Sequence, residues 1–401
     1  MLELEEALTR ILSALPSPEM EQTLLTQAQG RVLAEQIFSP LDLPLFDNSA
    51  MDGYAVQASD VADARHDHPV RLRLRGRIVA GAVFDGEVQP GTCVRLFTGS
   101  PLPRGADAVV MQEDTRTDAN VPDQVLFLDP VRPWENIRLR GEDVKRGMAL
   151  GQPGDYLTTG RLSLLAAVGM AQVKVGRQPV VGLLSSGSEL REAGRSLAPG
   201  QIYESNRLGL ATLISRAGGI PRIFPLMPDT LMATRAALEE AFDQCHLVVT
   251  SGGVSVGEMD FVKNAFEQMG GELQFWKVAM RPGRPFVFGR CKEKFLFGLP
   301  GNPVSAAVTY LLLVRPALRR WQGATDVSLP THPGQLAEPL TNRGERRHFL
   351  RVVVDQEGMI RSAGMQASHC LSSLAAANGL VDAAPKTTLA AGTCVKVMRW
   401  E

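Results

Sequence analysis

The stretch VVTSGGVSVGEMDF, residues 248–261, decides the fold: an apolar run passes through small residues into the start of a helical pattern. Two other stretches share this design, LLSSGSEL at 183–190 and FGLPGNPVSA at 297–306. Each apolar run has the length of a buried strand, and each loop ends near a predicted helix start. Strands that alternate with helices indicate a mostly parallel sheet covered on both faces. We therefore predict a three-layer α/β domain over residues 177–326.

The helices between these strands have clear apolar faces and recognisable starts. Two groups of apolar residues fall at helical spacing: Leu210, Leu213, Ile214 and Ala217, then Leu238, Ala241, Phe242 and Cys245. Asn206 and Asn302 are predicted N-caps, and Pro303 stands at the first helical position.

The rest of the chain divides into three further predicted parts. Residues 1–40 and 141–176 form a helical or mixed domain that includes an amphipathic helix over residues 2–15. Residues 41–140 form a β-rich insertion, in which the arginines of RLRLR are expected to line the solvent face of a half-buried strand rather than a basic binding stripe. Residues 327–401 return to short strands such as HFLRVVVD, which predict a small, barrel-like β domain.

Composition excludes several functional classes. The chain has 401 residues, 21% of them charged, with a formal net charge of -1, so we expect no nucleic-acid or membrane partner. Its N-terminus, MLELEEALTR, is unlike a signal peptide, and no apolar run is long enough to span a bilayer. The cysteines are odd in number and scattered without C-x-x-C, which favours a reducing, cytoplasmic location. The stretch His66-Asp67-His68 is more consistent with a solvated loop than with a metal pair.

Small-residue loops and a basic turn predict an anion site. At the carboxyl edge of a parallel sheet, glycines let backbone N–H groups approach a phosphate or another oxyanion, and Ser251-Gly252-Gly253 is such a segment. In WKVAMRPGRPF, two prolines exclude a helix and stiffen a turn that carries Lys277, Arg281 and Arg284. This turn suits bidentate phosphate recognition, and an exposed basic loop is an equally good interpretation.

Five acidic residues are candidates for the opposite charge: Asp52, Asp143, Glu189, Asp229 and Asp260. Asp229 and Asp260 also stand at predicted helix starts, which gives each a purely structural interpretation as an N-cap. Carboxylates beside a phosphate site usually bind Mg²⁺, a cation that takes oxygen ligands. Loops, arginines and acids together predict a magnesium-dependent site for a phosphorylated or nucleotidyl ligand.

Eight motifs then point to a family. In chain order they are FDNSAMDGYAV, FTGSPLP, VVMQE, RGED, SSGSEL, TSGGVSVGEMD, RPGRPFVFG and GLPGNPVS. From about residue 30 to 305 the chain closely resembles the molybdopterin molybdenumtransferases, the MoeA family that includes the gephyrin E-domain. The resemblance implies a four-part, elongated subunit that forms a homodimer, with an active site between the α/β domain of one subunit and the β insertion of the other. It also implies that adenylylated molybdopterin and molybdate react with Mg²⁺ to release AMP and leave molybdenum on the dithiolene.

The resemblance assigns roles residue by residue. Catalytic acids would be Asp52 and Asp143 from the insertion and its edge and Glu189 and Asp260 from the α/β domain, with Asp260 and Glu189 as metal ligands. Substrate contacts would come from Thr98, Ser100, Asp229, Ser251, Gly252, Gly253, Lys277, Arg281, Arg284, Pro300 and Asn302. The family often has lysine at the positions of Arg281 and Arg284, and STGDEL where this chain has SSGSEL. The tail matches only loosely, so Arg351, Ser368 and Ser373 are weaker assignments.

Two alternatives stay open at this stage. A non-catalytic pterin-binding scaffold could keep the fold without turnover, although retention of the acids argues against it. A magnesium-dependent nucleotide pyrophosphatase would leave the N-terminal motifs without a purpose. The resemblance further implies transient contacts with the pterin-adenylylating enzyme and with downstream cofactor-handling proteins. The choice between molybdate and tungstate, the division of roles among the acids, and domain motion do not follow from sequence.

Overall fold

A computed structural model describes residues 1–79, 81–253 and 261–400. Its helices are α1 Leu4–Ala14, α2 Thr159–Ala167, α3 Asn206–Arg216, α4 Leu231–Gln244, α5 Phe261–Gln268, α6 Pro303–Thr309, α7 Arg315–Trp321 and α8 Leu371–Ala376. A π-helical turn, Tyr310–Val314, joins α6 to α7.

The strands fall into two halves of the chain. Up to residue 176 they are β1 Met20–Leu24, β2 Ile37–Phe38, β3 Asn48–Ser49, β4 Gly53–Val56, β5 Val70–Arg77, β6 Thr92–Leu96, β7 Ala108–Met111, β8 Thr115–Thr117, β9 Gln124–Phe127, β10 Ile137–Arg138, β11 Ala149–Gly151 and β12 Gln172–Gly176. Beyond it they are β13 Val180–Ser185, β14 Leu190–Arg191, β15 Ile202–Tyr203, β16 Ile220–Ile223, β17 Leu247–Ser251, β18 Glu272–Trp276, β19 Met280–Arg281, β20 Val287–Cys291, β21 Lys294–Leu299, β22 Thr331–Leu336, β23 Leu340–Asn342, β24 Arg347–Val354, β25 Met359–Ser362, β26 Gly379–Ala383, β27 Thr387–Leu389 and β28 Cys394–Arg399.

The predicted α/β sheet is present. Its order is β16-β13-β17-β21-β20-β18; the first three pairings are parallel and the last two antiparallel. Successive residues of β13 face opposite layers: Leu183 packs in the cluster that contains α1, α3, α6 and α7, and Leu184 in the cluster of α4 and α5. Side chains of a strand alternate in this way, so both faces of the sheet are covered. The three-layer prediction is confirmed.

Two predicted helix starts are wrong by one residue. Asn206 is the first residue of α3, and Ser205 holds the N-cap position. Asp229 does not cap α4; the cap is Thr230, whose side chain accepts a hydrogen bond from Ala233 N. Asn302 is at the N-cap of α6 with Pro303 at N1, as predicted, but its side chain makes no capping bond. The side chains of Asn206 and Asp229, which do not serve as caps, are therefore available for other contacts.

The C-terminal strands close into a barrel, as predicted. The ring runs β24-β25-β22-β28-β26 and is closed by the antiparallel pairing of β24 with β26. Strand β19 adds to β24 in parallel, so Met280 and Arg281 pair with Arg347 and His348. This pairing ties the basic turn of the α/β domain to the first long strand of the barrel.

The β insertion is built on a separate six-stranded sheet, ordered β7-β4-β6-β5-β9-β8. Along β5, Arg71, Arg73 and Arg75 are exposed while Leu72 is buried, which confirms the predicted solvent face of the RLRLR run. Residues 36–151 and 160–171 form one compact unit, and the other described residues, 1–35, 152–159 and 172–400, form a second. The four-part division of the chain stays a prediction. Among the described helices none is long and apolar enough to cross a bilayer.

Candidate functional site

The three small-residue loops meet at one edge of the α/β sheet, as the parallel pairing predicts. Ser185 at the end of β13 pairs with Ser251 at the end of β17, which pairs in turn with Leu299 at the end of β21. The loops that follow these residues line a cavity of about 710 Å³, here named the first cavity. That volume lies within the range of small-molecule sites, and its position is where open α/β sheets bind ligands.

Glycine allows two of these loops to touch through their backbones. Gly252 has φ +86°, and a Cβ atom there would lie 3.0 Å from Ser186 O. A Cβ atom on Gly301 would lie 3.6 Å from Gly252 Cα. The left-handed backbone and the close approach both favour glycine over any residue with a side chain. Gly252 N donates to Leu299 O at 3.1 Å, which fixes the loop after β17 against the end of β21.

Asn206 joins the same two loops from the side of α3. Its Nδ2 donates to Ser251 Oγ and to Gly301 O, both at 2.7 Å. Ser251 is buried, so the bond to its hydroxyl is shielded from water and is stronger than an exposed one, whereas the bond to Gly301 O is exposed. The sequence predicted Asn206 only as a cap; the structure shows that it positions the loops of the first cavity.

Two of the predicted acids line the first cavity. Glu189 is exposed to it, and Asp229 Oδ2 accepts a hydrogen bond from Ser188 N at 3.0 Å. The carboxylate of Asp229 therefore fixes the loop after β13 by this hydrogen bond, and does not cap α4. A further lining acid, Glu204, is paired with the buried Arg207 through Nε at 3.0 Å. Asp260 lies outside the described residues.

A second cavity, of about 350 Å³, adjoins the first and has the opposite charge. Arg281, Arg284 and Arg346 line it, and none of its described lining residues is acidic. The two cavities share Pro285, Asn302 and His369 as lining residues. Asn302 Nδ2 donates to Ser368 Oγ at 3.1 Å, so Asn302 and Ser368, both predicted substrate contacts, form part of the wall.

The three arginines raise the local positive potential. Arg346 donates through Nη1 to Met280 O at 2.8 Å, and burial, followed by the charges of Arg284 and Arg281, lowers its pKa. Behind them, burial and the charges of Arg281, Arg351 and Arg346 lower the pKa of His348 to about 4. His348 is therefore neutral at physiological pH and adds no charge to the second cavity. The positive charge of this cavity comes from its guanidinium groups, which can bind an anion.

Two predicted contacts lie elsewhere. The Lys277 ammonium stands 5.4 Å from the centre of the Trp276 ring, and Lys277 is not among the residues lining either cavity. Arg351 is fully buried and donates to Ser373 Oγ at 2.9 Å and to the carbonyls of Met365 and Ala367. It therefore supports the segment that carries Ser368.

The candidates of the β insertion belong to the other compact unit. Asp52 Oδ1 accepts hydrogen bonds from Thr98 N and Thr98 Oγ1, both at 2.8 Å. These two bonds, and then the charge of Arg95, lower the pKa of Asp52. Ser100 is buried and its Oγ accepts from Phe97 N at 3.2 Å, so it fixes the turn that carries Thr98. Asp143 is exposed in a turn whose main chain bonds to Leu43.

The donors of the first cavity fit Mg²⁺ only in part. Carboxylate oxygens of Glu189 and Asp229 are the ligand type that Mg²⁺ prefers. Within residues 1–79, 81–253 and 261–400, no group of three or more His, Cys, Asp or Glu side chains could hold a metal ion. Mg²⁺ commonly binds through one or two carboxylates together with substrate phosphates and water, and the two described acids suffice for that mode.

Sequence reasoning missed several lining residues of the second cavity. Arg346 directly precedes β24 of the barrel, and Gln366 and His369 lie in the segment between β25 and α8. A signal for Arg346 was present, because GERRHFLRV places two arginines directly before a strand. Nothing in the sequence indicated that this strand start lies beside the turn at residues 281–285; the pairing of β19 with β24 brings them together.

Comparison with sequence families finds matches along nearly the whole chain. Residues 2–169 match the MoeA N-terminal region (domain I and II), residues 182–320 a probable molybdopterin binding domain, and residues 333–400 the MoeA C-terminal region (domain IV). The second of these matches contains most of β13, all of β17 and β21, and the loops that follow these strands.

Individual relatives agree over the same length. Molybdopterin molybdenumtransferase of Haemophilus influenzae is 40% identical over 94% of this chain and 93% of its own length. Molybdopterin molybdenumtransferase 2 of Mycobacterium tuberculosis H37Rv is 41% identical over 93% of each. The crystal structure of the molybdopterin biosynthesis moeA protein from Pyrococcus horikoshii OT3 is similar with a TM-score of 0.83 and 30% identity, and the match covers 100% of both chains.

Proposed function

This chain belongs to the MoeA family of molybdopterin molybdenumtransferases, and we propose that it transfers molybdenum from molybdate to adenylylated molybdopterin, with Mg²⁺ bound and with release of AMP. Its place in molybdenum cofactor biosynthesis follows from the family. What we propose beyond the family is that the substrate is adenylylated, that Mg²⁺ is bound and that AMP is released.

One observation supports the proposal most strongly: two adjoining cavities of opposite charge share a wall. The first offers the carboxylates of Glu189 and Asp229, and the second offers the guanidiniums of Arg281, Arg284 and Arg346. A ligand that carries both a metal-bound phosphate and a further anionic group needs this division of charge. An adenylylated pterin next to molybdate is such a ligand, because its anhydride phosphates and the oxyanion can occupy neighbouring positions.

The chain's own residues would bind and orient the reactants. Arg281 and Arg284 present planar guanidiniums that match phosphate or molybdate oxygens in bidentate fashion, and Arg346 is held in place by its bond to Met280 O. Gly252 and Gly301 let the ligand approach the backbone at the sheet edge. When bound, Mg²⁺ would supply charge neutralisation at the phosphates, with oxygens of Glu189 and Asp229 as its protein ligands.

AMP release requires one bond to break. Water adds to the phosphorus atom of the pterin's own phosphate and gives up a proton to solvent, the bond from that phosphorus to the bridging oxygen breaks, and AMP leaves with the bridging oxygen. Negative charge on the leaving phosphate increases as the bond breaks, so fixed cations next to it stabilise the transition state more than the ground state. We assign that role to the arginines that line the second cavity.

We further propose that two subunits complete each site, as the family resemblance implies. Asp52 and Asp143, with Thr98 and Ser100, would be supplied by the β insertion of the second subunit. The protein would act in the cytoplasm, downstream of an enzyme that adenylylates the pterin. Mixed dimers provide the check: Asp52→Ala and Glu189→Ala chains are inactive alone, and their mixture regains activity at the sites that carry neither substitution. Mixtures that stay inactive contradict a shared site.

The test of the reaction is AMP release from adenylylated molybdopterin with Mg²⁺, with and without molybdate. Release that depends on molybdate supports the transferase. Release at the same rate without molybdate contradicts it and indicates a plain nucleotide pyrophosphatase. Tight binding without release in either condition also contradicts it and indicates a scaffold.

A matched pair of variants connects the reaction to the first cavity. Glu189→Gln removes a lining carboxylate, and we expect AMP release to fall about tenfold or more because one charge-assisted contact is lost. Glu240→Gln, on the exposed face of α4, removes the same charge away from the cavity and should leave the rate unchanged. Equal rates for the two variants would exclude Glu189 from the reaction.

A further inference from the structure

A third cavity, of about 280 Å³, lies at the opposite end of α3 from the first. Asn206 begins α3 and contacts the loops of the first cavity, whereas Arg216 ends the helix and lines the third. A helix of eleven residues is about 16 Å long, so the two positions are well separated. The residues proposed to bind the substrate do not line the third cavity.

Guanidinium groups dominate the third cavity. Arg216, Arg315, Arg319 and Arg399 line it together with His332, and no described lining residue is a carboxylate. Among the described acids, Asp326 acts on Arg315, and its Oδ1 already accepts from Ser328 N and Oγ. Burial, and then the charge of Arg319, lowers the pKa of Arg315, as expected where cations outnumber anions.

Two of these arginines have buried donors without acceptors. The Nε–H groups of Arg319 and Arg399 are inaccessible to solvent and make no hydrogen bond with the described residues. Buried donors in folded proteins nearly always have a partner, and an exception requires an explanation such as a missing ion. Other donors are already used: Arg315 Nη1 bonds to Val327 O and Ser328 O, and Arg216 Nη2 bonds to Trp400 O. These main-chain contacts fix the positions of Arg315 and Arg216 in the wall of the third cavity.

The rest of the wall is apolar. Leu213, Leu311 and Trp400 line it beside the arginines, and Tyr310 is buried below them. A cavity lined both by several fixed cations and by an indole ring suits a ligand with a multiply charged anionic group on a small flat body.

We propose that the third cavity is a second anion site, which binds a phosphomonoester with a small aromatic body. Two or more negative charges on the ligand match the cluster of guanidiniums, and a phosphate can accept from several of them at once. A carboxylate carries one charge and fits less well. The proposal does not depend on the reaction at the first cavity, and it is tested by binding alone.

The experiment is isothermal titration calorimetry of the full chain with phenyl phosphate, inorganic phosphate and benzoate at low ionic strength. We expect phenyl phosphate to bind most tightly, inorganic phosphate more weakly for want of the apolar contact, and benzoate least. Arg319→Gln and, separately, Arg399→Gln should each weaken phenyl phosphate binding about tenfold. Arg320→Gln is the matched control: it removes one charge from the same helix at an exposed position outside the cavity, and should not weaken binding.

Each other outcome overturns the proposal. If phenyl phosphate does not bind, or if Arg319→Gln and Arg320→Gln bind it equally, the cluster is not an anion site. If binding is lost with Arg281→Gln and kept with Arg319→Gln and Arg399→Gln, the ligand occupies the second cavity instead. Glu401 follows Trp400 and lies outside the described residues; binding that appears only after its removal would mean that the chain's own carboxylates neutralise the cluster.

Discussion

The first and second cavities adjoin, but they are built by different means. Loops at the ends of three parallel strands form most of the first, with small residues and backbone groups and with Glu189 and Asp229 as its charges. The second is formed by the turn at residues 281–285 and by side chains from the barrel and the segment before α8, and its charges are all positive. The regular sheet therefore supplies shape and oxygen ligands, whereas irregular segments supply cations.

Because of that difference, we expect the two cavities to respond to different kinds of substitution. The first cavity depends on backbone conformation, so it should respond to changes of glycine that leave charge unaltered. The second depends on charge that its described residues leave uncompensated, so it should respond to the loss of one guanidinium.

The largest effect is expected from Arg281→Ala. Arg281 lines the second cavity, and its guanidinium makes no hydrogen bond or ion pair with a described residue, so this group is available to an anionic ligand. A charge-assisted hydrogen bond contributes about 1.5–3 kcal/mol, which corresponds to a fall in kcat/KM of about 10- to 150-fold. Steady-state AMP release measures this.

Arg290→Ala is the control for Arg281→Ala, because Arg290 is exposed in the β20–β21 hairpin and pairs with Glu293 away from both cavities. Its kcat/KM should equal that of the unaltered chain. A loss as large as that of Arg281→Ala would attribute the effect to overall charge instead of to the second cavity.

The second effect tests the backbone of the first cavity. Gly252→Ala and Gly270→Ala both place alanine at a left-handed position, φ +86° and +80°, so each should lower the unfolding free energy by about 1–2 kcal/mol. A Cβ atom at Gly270 meets nothing within 4 Å, whereas at Gly252 it crowds Ser186 O. We expect only Gly252→Ala to lose activity, by about tenfold, since its loop must shift. Equal activity of the two variants would contradict the role of this junction.

The third effect is on stability against pH. His348 has a folded pKa of about 4, and an unfolded chain has the ordinary histidine value of 6.5. Between these values the unfolded chain binds a proton that the folded chain does not, so stability is full above 6.5 and falls as pH drops towards 4. We expect this group to contribute about 3 kcal/mol of that loss at pH 4.

Urea unfolding at several pH values measures the contribution of His348. His348→Asn should show a smaller loss between neutral pH and pH 4 than the unaltered chain, whatever its stability at neutral pH. His332→Asn, at an exposed position on β22 of the same barrel, should keep the full loss. If both variants lose stability equally with acid, burial and the neighbouring arginines do not keep His348 neutral.

Some parts of the fold and of the candidate site could be predicted from the sequence, and others could not. The sheet, its covered faces and the meeting of three loops could be predicted, because apolar periodicity and strand–helix alternation report on local structure and on parallel pairing. Glu189 and Gly252 follow directly from strand ends. The arginines at 281 and 284 were visible in the sequence too, but not their neighbour Arg346, which depends on the pairing of β19 with β24 across more than sixty residues.

Polar side chains were the least predictable part of the site. Asn206 and Asp229 stand at or next to helix starts, where capping is the commonest role, and local pattern therefore favours the cap. In the structure Asn206 instead bonds to Ser251 and Gly301, and Asp229 to Ser188. Only the arrangement of loops from distant segments decides which acceptor or donor such a side chain meets.

The smallest expected effect concerns Asp52, the acid proposed to add to the charge of the first cavity. Thr98→Val removes one of the two hydrogen bonds that lower the pKa of Asp52 and keeps the bond from Thr98 N. The pKa of the Asp52 carboxyl should rise towards its ordinary value of 3.8, as measured by ¹³C NMR titration of labelled aspartate. Because the folded pKa lies below the unfolded value, the stability that this contact gives is present at neutral pH and is lost as pH falls through the folded pKa.

Thr115→Val, whose hydroxyl donates to Gln112 O instead of to a carboxylate, should leave that titration unchanged. At neutral pH Asp52 stays ionised in both variants, so any fall in AMP release reports the substrate contact proposed for the Thr98 hydroxyl. We expect a fall of about fivefold in Thr98→Val alone, because one neutral hydrogen bond is lost. An unchanged rate would contradict that contact and would leave the β insertion a source of charge alone.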